Sequence, residues 1–302
     1  MKQSIVIPAV LLASITWAGA QGFKDTEGKY LDILQGDKPL VRYMYEYDLS
    51  TPVRRLDTYK VWHHVMDETG ENEITKGPGG KFPHHRAIYI GWSKLQHGGK
   101  GHDLWHMKGK AAQIHKEVLK QDSTPGKSTL STQVHWLTSD GETVCLDETR
   151  TVTVHHNDKD AHLVLDFETD LKAVNGDVDL RGDPEHAGFQ YRPHNDVVGN
   201  KSARYTFHAE GVNAKNTKDH PWVNMTYELK GRKYSVQHMN HPDNPKGTKY
   251  SAYRDYGRFG AFFQQPIKDG ESLKLKYRIR ITLGDTPSGD VMAEQYKAYI
   301  GS

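Results

Sequence analysis

Residues Ser272–Leu283, SLKLKYRIRITL, decide the fold. Leu273, Leu275, Tyr277, Ile279, Ile281 and Leu283 fall on one side of an extended chain. Lys274, Lys276, Arg278 and Arg280 fall on the other. Side chains alternate faces along a strand, so the pattern describes a β-strand with one apolar face and one wet face. The same period returns in Leu163, Leu165 and Phe167 against His162, Asp166 and Glu168. It returns again in Val223, Met225, Tyr227 and Leu229 against Asn224, Thr226 and Glu228. Leu130 to Trp136, Thr151 to His155 and Tyr205 to His208 read as further strands, with turn signals such as Asn175-Gly176 and Asp269-Gly270 between segments.

Helix is scarce. Ser288 to Tyr299 predicts one terminal helix capped by Ser288, and Ala111 to Lys120 fits helix or strand equally. No repeat or composition break divides the chain. Many strands with short turns imply an all-β fold, a large β-sandwich (a supersandwich) with little helix, in one domain over residues 21–302.

Ahead of that domain, Lys2, the apolar run Ile5 to Trp17 and Ala18-Gly19-Ala20 have the layout of a signal peptide, residues 1–20, cut near Ala20. The expected location is therefore periplasmic or secreted. The apolar run is too short to span a bilayer, and no other stretch approaches the necessary length. A net charge of +2 with no basic run excludes a nucleic-acid footprint. Cys145 is the only cysteine, so no intramolecular disulfide forms, and its strand-like setting predicts a buried, inert thiol.

Four polar constellations stand out. In KGPGGKFPHHRAIYIGW (Lys76 to Trp92), a Gly- and Pro-rich loop delivers His84, His85 and Arg86 to an apolar strand. With Phe82 to Gly91 extended, His84 and Arg86 share one face and His85 takes the other, which argues against a His84–His85 metal clamp. In EHAGFQYRPH, His186, Gln190, Arg192 and His194 share a face, with Gly188 allowing a ligand or second backbone to approach closely. The third is His238 to Asn244, containing His241, followed by Tyr253 to Gly260 with Arg254. The fourth is GHDLWHM, where Trp105 is either a stacking platform or a core residue, and His102 and His106 have helical metal-pair spacing but scarcely a turn of room. Arg181-Gly182-Asp183 reads as a surface turn. No HExxH, GxSxG, phosphate loop or dinucleotide fingerprint occurs, which removes the common zinc-protease, serine-hydrolase, kinase and Rossmann readings.

The segments Tyr59 to Leu95, Asp103 to Met107, Gly182 to Arg192 and His238 to Pro245 carry a resemblance to a secreted bacterial family labelled "methane oxygenase PmoA". It spans nearly the whole mature chain. The family is a domain of unknown function without established catalytic residues, so none is carried over. Methane monooxygenase subunits are membrane-embedded and this chain offers no spanning segment, so methane oxidation is not expected. Members are similar to proteins of planctomycete-type bacteria with large polysaccharide-degrading repertoires, which implies a carbohydrate substrate. A large sandwich with imidazole and guanidinium groups on one sheet also resembles the aldose-epimerase architecture.

These readings converge on acid/base chemistry, isomerase, epimerase or lyase in type, on a small sugar or oligosaccharide. His84, His186 and His241 are the expected proton carriers. His85, Arg86, Trp105, His106, Gln190, Arg192, Asn244 and Arg254 are expected to bind substrate. Two alternatives remain: a non-catalytic sugar-binding module with Trp92, Trp105 and Tyr256 as platforms, and a metalloprotein. No motif requires a cofactor, though eighteen histidines leave room for a His-bound divalent metal.

Overall fold

The computed structural model describes residues 22–301, so the expected leader at 1–20 lies outside the described residues. The fold is mostly β, with three antiparallel sheets. One eight-stranded sheet runs, edge to edge, Phe23–Thr26, Tyr30–Gln35, Lys38–Met44, Trp62–Val65, Ile88–Trp92, Ala187–Tyr191, Phe259–Phe262 and Lys249–Tyr250. The second runs Arg204–Phe207, Trp222–Leu229, Arg232–Asn240, Ser272–Leu283, Leu163–Ala173, Val144–His155, Lys127–Leu137 and Ala112–Thr124. A four-stranded sheet of Gln265–Ile267, Val178–Leu180, Leu95–His97 and Lys100–His102 completes the set.

The two large sheets face each other over one apolar core. Phe167 and Tyr277 from the second sheet pack on Phe189 of the first, with ring centroids 4.4 and 4.6 Å apart. The strand that opens the sequence reading, Ser272–Leu283, is interior to its sheet and buries Leu275, Tyr277, Ile279 and Ile281. Leu283, by contrast, is exposed at the strand end. Its expected wet face is also less wet than alternation implies. Arg278 pairs with Asp166, and Arg280 with Asp158, across and beyond the neighbouring strand.

Helices are few and short. The helix Gly289–Ile300 is capped by Ser288, whose side chain accepts from Val291 N, as expected. It lays Met292 and Tyr299 against Trp222 and Met239 on the outer face of the second sheet. Ala112–Thr124 resolves as strand. Cys145 is buried, and burial pushes its thiol up to about 12, which makes it inert.

Candidate functional site

The outer face of the first sheet carries a second, smaller packing layer. Ile88, Ile90 and Trp92 point into the sandwich core, so Ala87, Tyr89 and Gly91 point away from it. A Cβ on Gly91 would stand 2.5 Å from the carbonyl oxygen of Leu104, so only glycine lets the Asp103–Met107 turn lie flat on the strand. That turn presses Trp105 onto Tyr89, ring centroids 4.8 Å apart, beside Trp62 and Ala87. Beneath it, the buried Lys60 Nζ donates to the carbonyls of His84 at 3.0 Å and Trp105 at 2.5 Å. One amine therefore fixes two loops against each other.

Three half-buried imidazoles meet above this layer. The ring of His84 lies 4.3 Å from that of His106, and His106 lies 5.3 Å from His186. His106 and His186 are held alike, each by an Asp three residues earlier. Asp103 Oδ1 accepts from the main-chain N–H of Trp105 and His106, and its Oδ2 lies 2.8 Å from His106 Nδ1. Asp183 Oδ1 accepts from Glu185 N–H at 3.0 Å and lies 2.9 Å from His186 Nδ1. Both are Asx turns that swing a histidine back onto the turning carboxylate.

Burial works to raise Asp103, but hydrogen bonds from His106 and the turn backbone outweigh it and hold the carboxyl at about 2. An ionised carboxylate only accepts, so His106 carries its proton on Nδ1 and presents Nε2 to the site. His84 is pushed down to about 3, by burial first and then by His106 and Lys60, which keeps it a neutral imidazole. Its Nε2 is buried without a partner. Phe82 and Tyr256, half-buried and 5.0 Å apart, flank the cluster through His85.

The structure thus brings together His84, His85, His106 and His186, and corrects several expectations. The strand begins at Ile88, not Phe82. A left-handed Phe82 (φ 60°) and Pro83 turn the chain, and His85 N–H closes on Phe82 O. Face alternation fails there, and the His84 and His85 rings lie 4.4 Å apart instead of on opposite faces. Arg86 is buried and donates to the carbonyls of Pro83, His85, Leu56 and Asp57, the last two in the final turn of the helix Pro52–Thr58. It satisfies orphan helix carbonyls. Gln190 is buried and donates to Ala187 O. Gly188 admits a backbone, the Ala261 carbonyl of the adjacent strand. Trp105 and Trp92 are fully buried core residues and cannot serve as exposed platforms.

Others lie elsewhere. His241 packs on Tyr299 beside Asp243, and Asn244 brackets Lys276 and Asn240, all by the second sheet. Arg254 is exposed and pairs with Glu185. Arg192 is buried below Tyr256. His102 meets Ser139 instead of His106. Among the described residues no three His, Cys, Asp or Glu side chains are arranged to hold a metal ion. His84, His106 and His186 line none of the main surface clefts, although one cleft, bounded by Gly182, Asp183, Lys218 and Lys246, reaches the carboxylate that orients His186.

A profile described as a family of unknown function, DUF6807, matches residues 30–297. No curated protein matches the sequence. Among solved structures, a heparan sulfate lyase HepC mutant from Pedobacter heparinus is similar over 88% of this chain and 37% of its own, at 10% identity and TM-score 0.43. A protein from human microbiome, provisionally described as a kojibiose phosphorylase, is similar over 91% of this chain and 32% of its own, at 8% identity and TM-score 0.35. The chain spans about a third of the length of these structures.

Proposed function

The chain belongs to DUF6807, a family without an assigned activity, and from its own geometry we propose a secreted or periplasmic enzyme that moves protons on a carbohydrate. The observation that carries this reading is the pair of Asp-oriented histidines, Asp103–His106 and Asp183–His186, facing each other beside a neutral His84. An imidazole with Nδ1 tied to a carboxylate keeps its orientation and tautomer, and its Nε2 is a proton acceptor near neutral pH. Two of them around one substrate provide a base and an acid. One Nε2 takes a proton from a carbon next to a carbonyl or carboxyl group, leaving the electron pair on an enolate-type oxygen. The other, protonated, delivers its proton to a departing oxygen on the same side, which completes an elimination, or back to carbon. Hydrolysis by apposed carboxylates fits less well, since both Asp103 and Asp183 are turned onto their histidines. Phe82 and Tyr256 pack on each other beside the histidines, and once they part their faces suit the C–H face of a sugar.

The test is turnover against affinity. His106→Asn and His186→Asn should each lower kcat about 100-fold or more while the dissociation constant for a bound sugar changes little. Wild type that binds sugars and converts none is a binding module, and the reading fails. So does a stoichiometric metal in protein purified without a polyhistidine tag, if it is lost in His186→Ala.

A further inference from the structure

Below the histidine cluster, near His85, lie two guanidinium groups: Arg258, partly neutralised by Glu185, and Arg192, which no carboxylate contacts among the described residues. Antiparallel pairing sets Tyr191 opposite Phe259, and Arg192 and Arg258 are the next residues, just beyond the end of this ladder. Like charges this near each other repel, and the Arg258 charge adds to burial in acting to lower Arg192. Both side chains are nonetheless almost wholly buried, at 0% and 1% exposure. Arg192 donates only to the carbonyls of Pro193 and Tyr256, and its Nε and one Nη find no partner. Arg258 approaches Glu185 at 3.2 Å through one Nη, while its Nε has none. Glu185 is itself shared with Arg254 and Tyr253. The same layer holds further unpartnered polar atoms, Tyr89 OH and His85 Nδ1. Burial and the Arg258 charge lower Arg192 only to about 10, so it remains a cation at neutral pH. A buried cation without a counter-charge is strongly unfavourable. Planar forks with free N–H groups match carboxylate and sulfate oxygens.

We infer that Arg192 and Arg258 form the seat for an anionic substituent, a carboxylate or sulfate ester, on the sugar whose reacting carbon lies at the histidines. This deepens the carbohydrate reading and rests on it. Tyr256 stacks over Arg192 at 4.9 Å, and Phe82 covers Tyr256, so entry requires these rings to part.

The experiment is calorimetric binding of four probes: methyl glucuronide, its methyl ester, methyl glucoside 6-sulfate and methyl glucoside. At least one acidic probe should bind about tenfold or more tightly than the neutral pair. The preference should disappear in Arg192→Met and Arg258→Met and survive in His106→Asn. Arg192→Lys, which keeps charge without the fork, should retain part of it and guards against a simple folding failure. Which acidic probe gains identifies the anion. Equal binding of all four, no binding of either acidic probe, or a preference that survives both Met variants overturns the inference. A preference without turnover leaves this seat intact and sinks the proton-transfer reading, while turnover without preference does the reverse.

Discussion

The rings of His84 and His106 lie 4.3 Å apart although they come from separate loops, and the cause is one buried amine. Lys60 donates to the carbonyl of His84 and to that of Trp105, the residue before His106. Burial and the nearby Arg86 push this amine well below the ordinary lysine range. It is therefore a positioning group instead of a surface charge. Lys60→Met fills the same space but releases both carbonyls. The expected outcome is a folded protein whose kcat falls about tenfold or more with sugar affinity little changed. Unaltered kcat in a correctly folded variant would show that the clamp is dispensable.

Gly91 makes a second prediction. Its substitution by Ala puts a methyl group 2.5 Å from the Leu104 carbonyl, a backbone atom that cannot rotate aside. The Asp103–Met107 turn must lift, carrying His106 with it. Gly91→Ala should destabilise by about 1–3 kcal/mol in urea unfolding and lower activity together. A neutral effect on both would contradict the close approach described here.

Acid sensitivity follows from the buried imidazoles. Burial, with neighbouring cations such as Arg42 at His64, pushes His64, His84 and His238 down to about 3 and holds His63 and His85 well below the usual range. Each ring stays neutral when folded and gains a proton on unfolding. Below about pH 6.5 the unfolded chain therefore binds more protons, so stability is complete above that pH and falls as pH drops toward 3. Each such ring adds about 1.4 kcal/mol per pH unit to the slope. Unfolding midpoints between pH 8 and 4 should drop steeply with uptake of several protons; a flat profile to pH 4 would be inconsistent with neutral burial.

The sandwich core contains a separate polar device. Glu148 and Arg150, both fully buried, are joined by two hydrogen bonds of 2.8 and 2.9 Å, and Glu148 also accepts from Trp136 and Thr169. Glu148→Ala strands the Arg150 charge and should cost about 3–5 kcal/mol by chemical denaturation. A loss under about 1 kcal/mol would mean that water reaches Arg150.

The architecture was readable because burial on one face writes itself into a strand as period two, as Ser272–Leu283 illustrates. The site was only partly readable, since loops obey no period. Pro83 and the left-handed Phe82 cancel the alternation that assigned faces to His84, His85 and Arg86. His84 and His186 do meet, whereas His241 stands by the other sheet, because co-location depends on strand order, which no local pattern encodes. One local signal does mark the site. Asp-x-x-His occurs at both Asp103–His106 and Asp183–His186, and the second overlaps what reads as a plain surface turn. Lys60 and Arg258 carry no local signal, as their roles arise from packing alone.

The central claim is that the His84, His106 and His186 cluster transfers protons to and from a sugar carbon. Deuterium incorporation tests it most directly. A sugar that the wild-type protein binds, incubated with it in D2O and followed by mass spectrometry, should gain carbon-bound deuterium or yield an eliminated product, and should do neither with the His106→Asn, His186→Asn double variant. A sugar that stays bound yet unlabelled and unchanged with wild type would contradict the account.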